Sequence, residues 1–290
     1  MASWLIGVGY GAAHVGAAPR VGIWLFALSS LSSLGACVVP ADPAPESPWA
    51  VDVKPASGQT AVSVWTELVV SLDRRIWPQS LRADTLRVQS GESTPMLSLT
   101  YDPVDLEVRA RARAPLLSET AYTVTMDGLV DLDGVPQPEP IRVVFATGRG
   151  GAHPPPRPSA AWREVAPILR TRCALPGCHG GGQPAFGLDL SGPQAVEATA
   201  VGVASRLHRS GPTRDTVPRG HHTLAGLPII DRLGMNGQAG TSYLLYKLVG
   251  DPHVLGERMP AGAPPLAPEE LGLLRDWIAS GASTSLDESE

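Results

Sequence analysis

The amino-acid sequence predicts a multidomain chain in which an all-β, immunoglobulin-like sandwich precedes a mainly α-helical domain. Between residues 49 and 147, apolar and polar side chains alternate with a period of two, which is typical of half-buried strands. From about Ala161 onward, apolar side chains recur at helical spacing instead. A stretch rich in glycine and proline, residues 148–159, separates the two patterns, and we place the domain boundary there.

The predicted sandwich, residues 49–147, contains six strand candidates separated by turn residues. Segment 106–114 alternates without a break, with arginines on its polar side, which we interpret as a solvated strand face rather than a ligand site. Short strands at this spacing are typical of an immunoglobulin-like sandwich. Segments 53–58 and 144–147 also resemble the bacterial Ig-like domains of surface proteins, which implies a spacer or binding module. The other strand candidates are Glu67–Leu72, 85–89, 96–101, Ala121–Met126 and 141–147.

Two helices are predicted near the ends of the second domain, which we assign to residues 160–284. The first covers residues 161–172 and has one apolar face. The second covers residues 268–280, with Pro268 at its first position, two glutamates in its first turn and Gly281 as a stop signal. The stretch between them has few regular patterns. We therefore expect this domain to pack poorly unless an additional apolar group completes its core.

The sequence Cys173-Ala-Leu-Pro-Gly-Cys178-His179 follows the first predicted helix directly. Covalent attachment of a c-type haem needs two cysteines followed at once by a histidine, because the thiols bind the porphyrin edge and the imidazole binds the iron. The usual pattern has two residues between the cysteines, whereas four intervene here. The turn dipeptide Pro176-Gly177 can fold the extra residues away. A local disulfide, half of a zinc site and a chance cluster are the alternatives.

A methionine in a proline-flanked loop is the candidate for the second axial ligand. Met259 is followed by Pro260 and precedes the last predicted helix. Thioether sulfur suits haem iron, and ligation by histidine and methionine raises the reduction potential. A methionine that merely fills the core is the simpler alternative. His253 and Met235 are rival ligands.

Together these segments resemble the cytochrome c domains of planctomycetes and myxobacteria. The resemblance covers residues 161–282 and rests on the first helix and on segments 178–180, 187–191, 242–247, 259–260 and 276–282. It implies one covalently attached haem c, bound through Cys173 and Cys178. It further implies that His179 is the proximal iron ligand and Met259 the distal one. The wide cysteine spacing departs from the family pattern at Cys173.

The N-terminus predicts export and lipidation. Within residues 1–36, Arg20 precedes a short apolar run and then small residues, as in a signal peptide. The sequence Leu-Gly-Ala-Cys37 resembles a bacterial lipobox, whose cysteine is acylated and becomes the mature N-terminus. Residues 37–48, rich in proline and alanine, then form a tether. The alternative is a plain secretory signal that happens to contain a cysteine.

The composition excludes some classes of function. The formal net charge is −5 and no basic run is present, so the sequence does not support binding of nucleic acid. No segment after the signal reaches the roughly 20 apolar residues of a membrane span. If Cys37 carries lipid, the other two of the three cysteines form a pair. An oxidising compartment permits a disulfide, and it is also where bacteria assemble c-type cytochromes. The chain closes on an acidic tail, residues 285–290.

The sequence therefore predicts a c-type cytochrome lipoprotein of the cell envelope. Val38 is not an acidic retention residue, so we expect a lipid anchor in the outer membrane, facing the periplasm or the cell surface. The expected activity is one-electron transfer or redox sensing with an unidentified redox partner protein. The alternative is a haem-free adhesion or scaffold lipoprotein with a Cys173–Cys178 disulfide. A peroxidase-like enzyme is a third possibility and requires an open sixth position on the iron.

Overall fold

A computed structural model describes residues 49–91, 93–205, 224, 226–232, 239–254 and 256–285. The predicted signal peptide, Cys37 and the tether lie outside these ranges, as do Met235 and most of the acidic tail. Among the described residues, no helix has the length and apolar character needed to cross a membrane.

Seven antiparallel strands form the two sheets of a sandwich. They are β1 (Ala50–Lys54), β2 (Glu67–Leu72), β3 (Leu86–Gln89), β4 (Leu97–Asp102), β5 (Glu107–Ala112), β6 (Ala121–Met126) and β7 (Ile141–Ala146). One sheet has the order β1-β2-β5-β4, and the other has the order β3-β6-β7. This is the ABED and CFG arrangement of a seven-stranded immunoglobulin domain. The prediction of an all-β, immunoglobulin-like sandwich is confirmed.

The observed strands agree closely with the sequence prediction, except for β1. Strands β2 and β6 have the predicted bounds, and the others differ by one or two residues, which is the usual uncertainty of strand ends. The pairing of β1 with β2 shifts register between Ala50 and Asp52. Val51 is consequently 63% exposed while Val53 packs against the core. The alternation Val51-Asp52-Val53-Lys54 is present in the sequence, but the prediction did not include this short strand.

The sandwich core follows the predicted alternation and contains a tyrosine corner. Val108 and Ala110 on β5 are fully buried, as the alternating pattern requires. Tyr122 lies near the start of β6 and is buried, and its Oη accepts a hydrogen bond from the backbone N–H of Leu117 at 2.8 Å. A tyrosine at this corner that bonds back to the preceding backbone is a hallmark of immunoglobulin sandwiches.

The polar side of β5 is a network of ion pairs rather than a solvated face. Glu67 on β2 lies opposite Arg111 and accepts a hydrogen bond from Arg111 Nε at 2.8 Å. Arg109 pairs with both Glu107 and Glu67. Arg157, from the glycine- and proline-rich linker, adds a third guanidinium, with Nη2 3.1 Å from Glu67 Oε1. The interpretation of these arginines as solvated was therefore incomplete.

The linker between the two predicted domains lies against the sandwich. The ring of His153 stacks on Trp65 with a centroid separation of 3.9 Å. Ser63 Oγ donates a hydrogen bond to the carbonyl oxygen of Ala152 at 3.0 Å. Together with the ion pair of Arg157, these contacts hold residues 152–157 on the sandwich surface.

The described part of the second region contains four short α-helices. They are α1 (Trp162–Ile168), α2 (Pro193–Thr199), α3 (Tyr243–Val249) and α4 (Pro268–Ala279). Helix α4 has the predicted start, and Glu270 accepts a hydrogen bond from the backbone N–H of Ala267 at 2.9 Å, which caps its N-terminus. The first predicted helix is α-helical only to Ile168 and continues as a π-helical turn, Leu169–Cys173. Pro167 lies just before this change and donates no backbone hydrogen bond.

The helical region has an apolar core of its own. Trp162 of α1 and Trp277 of α4 meet with their ring centroids 5.7 Å apart, and Trp277 Nε1 donates to the carbonyl oxygen of Ser283 at 2.8 Å. The other large buried side chains are Val165, Ile168, Leu169, Leu190, Val196, Ile230, Leu244, Leu245, Leu248, Leu266, Leu274 and Ile278. The expectation that this region packs poorly on its own is therefore wrong, because residues far apart in the chain supply the missing apolar contacts.

Three connections at one end of the sandwich contact the helical region. The β2–β3 connection makes the ion pair Arg75–Asp251, and the β4–β5 connection makes Asp105–Arg275. The β6–β7 connection makes Asp133–His253. At the same junction, a Cβ on Gly240 would lie 2.5 Å from the carbonyl oxygen of Tyr101, so only glycine permits this approach. Independent folding of the two predicted domains stays a prediction.

Candidate haem site

The cysteine motif forms a tight turn directly after the π-helical turn. The backbone N–H of Cys178 donates to the carbonyl oxygen of Leu175 at 2.9 Å, and Gly177 has a φ of +80°. Proline followed by a glycine of positive φ is typical of a type II turn. The backbone N–H of His179 then donates to the carbonyl oxygen of Cys173 at 3.1 Å. The turn thus brings the backbone of the histidine back to the first cysteine despite the wide spacing.

The glycine after the histidine is required by a close backbone approach. A Cβ on Gly180 would lie 2.1 Å from the carbonyl oxygen of Ala174, which is far inside any real contact distance. A Cβ added to Gly182, two residues later, would have no neighbouring atom within 4 Å, so a side chain fits there. The motif therefore needs glycine at residue 180 for packing reasons.

The two cysteines occupy different environments. Cys173 is buried within the helical core, and burial raises the pKa of its thiol to about 11. Cys178 is exposed. Both are free thiols, so the structure does not contain the disulfide of the haem-free alternative. Because the thiolate is the nucleophile, Cys178 is the more accessible of the two for covalent chemistry.

The imidazole of His179 is half-buried and lacks a partner at one nitrogen. Its Nδ1 is buried and has no hydrogen-bond partner in the structure. Burial lowers the pKa of His179, although hydrogen bonding to backbone groups of Leu188 and Ala185 acts in the opposite direction. A neutral imidazole with an unpaired ring nitrogen is the form that binds a metal ion.

His179 and Met259 line the same cavity. Its volume is about 320 Å³, at the lower end of the range for small-molecule sites. The wall is mainly apolar and includes Leu188, Leu190, Val203, Ile229 and Leu244. Phe186, which is 64% exposed, also lines it. Neither Cys173 nor Cys178 lines the cavity, so the structure brings together the two predicted axial ligands but not the two thiols.

Met259 is attached to α3 through its backbone. Its N–H donates to the carbonyl oxygen of Lys247 at 3.0 Å, and its half-buried side chain packs against the helical core. The rival ligand His253 is occupied elsewhere. Its Nδ1 lies 2.8 Å from Asp251 Oδ1, and its Nε2 lies 3.0 Å from Asp133 Oδ1. With both ring nitrogens engaged and no contact with the cavity, His253 is not placed to bind iron there.

Other kinds of metal centre have little support in the part of the chain that the structure describes. Within it, no group of three or more histidine, cysteine, aspartate or glutamate side chains is placed to hold a metal ion. The two cysteines, considered from the sequence as half of a zinc site, therefore have no further zinc ligands placed beside them among those residues. The apolar cavity with one imidazole and one thioether instead matches the donor set expected for a haem iron.

Part of the cavity wall could not be anticipated from the sequence. Two lining segments, 187–191 and 242–247, belong to the family resemblance. Val203 and Ile229 do not, since they lie in irregular stretches without periodicity. Their backbones pair through the hydrogen bond from the N–H of Ile229 to the carbonyl oxygen of Val203 at 2.8 Å. That tertiary pairing brings them to the cavity.

Comparison with known proteins identifies a family for the first region only. Residues 45–147 match the family model of the bacterial Ig-like domain. No curated protein matches the chain. The match to the family ends at the linker, and the resemblance of the helical region to cytochrome c domains stays a proposal.

Several solved structures share a limited likeness with about a third of the chain. Domains 1–6 of the surface layer protein SbsC are 15% identical, with a TM-score of 0.27, over 37% of this chain and 14% of that chain. CopC from Methylosinus trichosporium OB3b is 12% identical, with a TM-score of 0.28, over 36% of this chain and 98% of that chain. An L,D-transpeptidase from Mycobacterium smegmatis is 14% identical, with a TM-score of 0.25, over 34% of this chain and 39% of that chain. From the family match and the strand order, residues 45–147 of this chain form a bacterial Ig-like domain.

Proposed function

We propose that the helical region binds one haem c and that the protein transfers single electrons or senses redox state at the cell envelope. The observation that carries the proposal is the cavity shared by His179 and Met259, directly beyond a Cys-Cys-His motif. The position of His179 supports it, because the histidine directly after the second cysteine is the residue that ligates the iron of a c-type haem.

The residues of the chain have separate roles in this proposal. His179 and Met259 ligate the iron, while thioether bonds from Cys178 and Cys173 hold the porphyrin. Bound haem supplies one-electron chemistry at the iron. The apolar wall excludes water, and the thioether ligand favours the reduced iron, so both raise the reduction potential. The Met259–Lys247 backbone hydrogen bond holds the methionine loop against α3.

The two thiols are expected to react in order. Cys178 is exposed, whereas the buried Cys173 is protonated at neutral pH because its pKa is about 11. Cys178 would therefore add first across a haem vinyl group, with its sulfur bonding to one vinyl carbon and its S–H proton going to the other, and Cys173 would add to the second vinyl group only after it becomes exposed. The lipobox at Cys37 and the exported setting of such domains place the protein, in this proposal, on the outer membrane.

The test is covalent haem attachment. The full chain is produced in the periplasm together with haem-attachment machinery, and a denaturing gel is stained for haem. We expect a stained band that Cys178→Ser abolishes and Cys173→Ser weakens, with the double variant unstained. Cys37→Ser is the matched control and keeps the stain, because its cysteine lies outside the motif.

The spectrum of the stained protein tests the ligands. Met259→Ala should remove the weak far-red sulfur-to-iron band of the oxidised protein and lower its potential, whereas His253→Ala should leave an iron–sulfur bond in place. A wild-type protein that is colourless and unstained would refute the proposal. If that protein also contains a Cys173–Cys178 disulfide, it is the haem-free adhesion or scaffold lipoprotein instead.

A further inference from the structure

The loop that carries Met259 is attached to the Ig-like domain at its beginning. It leaves α3 at Gly250, and the next residue, Asp251, is buried and accepts from Arg75 of the sandwich at 3.4 Å. Val254 is buried within the sandwich core cluster. The loop thus crosses from the sandwich to the cavity within a few residues.

His253 makes the contact that joins the loop to the sandwich through charge. It is hydrogen-bonded at Nδ1 to Asp251 and at Nε2 to Asp133 of the β6–β7 connection. Carboxylates accept hydrogen bonds, so both ring nitrogens must carry protons for the two bonds to form together. The contact is therefore complete only with an imidazolium. Burial opposes the charge, but the hydrogen bonds that His253 donates to Asp133 and Asp251 outweigh it and raise the pKa of His253.

The other charged groups near this contact are already paired. Arg75 faces Asp251 from the β2–β3 connection. Asp131, two residues before Asp133, pairs with Arg74 at 3.7 Å. The imidazolium thus meets carboxylates on two sides, and it shares Asp251 with the guanidinium of Arg75.

We infer that Asp133 and His253 are positioning residues for Met259, through which the Ig-like domain sets the ligation of the iron. The His253–Asp133 contact holds the beginning of the loop on the sandwich, together with the Arg75–Asp251 ion pair and the burial of Val254. The Lys247 carbonyl holds the backbone of Met259 on α3. The His253–Asp133 contact weakens when the imidazolium is lost, and the loop then gains freedom at the methionine. This inference rests on the proposed function.

The direction of the pH dependence follows from the raised pKa. A histidine whose pKa is higher in the folded protein stabilises the contact fully below its unfolded pKa of about 6.5 and loses that contribution as the pH rises through the folded value. Methionine ligation should therefore weaken as the pH rises above about 6.5.

The experiment uses the haem-loaded full chain and the variant Asp133→Asn. The pH at which the oxidised protein loses half of its far-red sulfur-to-iron band should fall by about 0.5 unit, the size expected for a partly exposed ion pair. In His253→Gln the titrating group is absent, so the band should be weaker at low pH and should lose this pH dependence. Adding Asp133→Asn should change nothing further, because the two residues act through one contact. Asp133→Glu should recover part of the shift. Asp127→Asn, an exposed acid of the same connection, is the control and should match wild type.

A second measurement on the haem-free protein separates the two proposals. Amide hydrogen exchange at Met259, whose N–H is bonded to Lys247, should speed up in Asp133→Asn and not in Asp127→Asn. If the wild type takes up no haem, the proposed function is refuted and the exchange result alone decides the positioning. If haem is attached but the band and the exchange are both insensitive to Asp133, the positioning role is overturned while the haem site stands.

Discussion

The β-sandwich and the helical region bury their apolar side chains by different means. In the sandwich, regular ladders place alternate residues in one continuous core, and the strand residues Val70, Leu86, Tyr122 and Phe145 are almost completely buried. The helical region instead combines helices of seven residues, a π-helical turn and long irregular stretches. It leaves a cavity and an unpaired imidazole nitrogen beside its core. The comparison shows that departures from regular structure are concentrated where a ligand is proposed to bind.

The largest expected effect tests how much the core of the helical region contributes to the free energy of unfolding. Trp277→Ala removes a fully buried side chain together with its contact to Trp162 and its hydrogen bond to Ser283. Truncation of such a residue costs about 3–5 kcal/mol. Chemical denaturation monitored by circular dichroism measures the loss. Met96→Ala, at a position that is 69% exposed, is the control, with a change below about 0.5 kcal/mol. A Trp277 variant as stable as this control would mean that the core forms only with a ligand.

A smaller effect tests the geometry of the cysteine motif. Gly180→Ala forces a methyl group against the carbonyl oxygen of Ala174, so the turn must move. Overpacking of this kind costs about 1–3 kcal/mol, and haem staining should fall with it. Gly182→Ala is the matched control, because open space surrounds that position. Equal stability and staining of the two variants would show that the turn adapts freely.

The smallest effect concerns the attachment of the linker to the sandwich. Burial raises the pKa of Glu67, but hydrogen bonds and charge from Arg111 and Arg157 outweigh it, so the net pKa is lowered. A carboxylate of this kind stabilises the fold above its unfolded pKa, and the contribution disappears as the pH falls through the folded value. Glu67→Gln should therefore cost about 1 kcal/mol at pH 7 and nothing near pH 2. Thermal unfolding at the two pH values measures the difference.

The control for this variant is Glu119→Gln. Glu119 pairs with Arg149, but both side chains are mostly exposed, at 62% and 89%. Exposed pairs contribute little, so this variant should behave like wild type at both pH values. A pH-independent loss in Glu67→Gln would assign the effect to packing rather than to charge.

The sequence predicted the sandwich better than the helical region for a physical reason. Alternation and caps are local signals, so β2, β6 and α4 have bounds within a residue of those expected. Strand β1 was not predicted although Val51-Asp52-Val53-Lys54 alternates, because the strand is only five residues long and gives a short signal. Helices α2 and α3 are only seven residues long, too short for a clear periodic signal.

The candidate site was partly predictable. His179 and Met259 were identified from chemistry and family resemblance, and the structure brings both to one cavity. The burial of Cys173 could not be foreseen, because the π-helical turn that precedes the motif has no sequence signature. The engagement of His253 by Asp133 was equally hidden, since it joins residues 120 positions apart.

The docking of the helical region has a consequence for recognition by the Ig-like domain. In a seven-stranded immunoglobulin domain the BC and FG loops lie at the same end as the loops that bind antigen in antibody variable domains. Here the corresponding connections, β2–β3 and β6–β7, hold Asp251 and His253 of the same chain. The end of the domain that is open for recognition in an antibody is closed by intramolecular contacts. An external partner of this domain is therefore expected on its strand faces or at its opposite end.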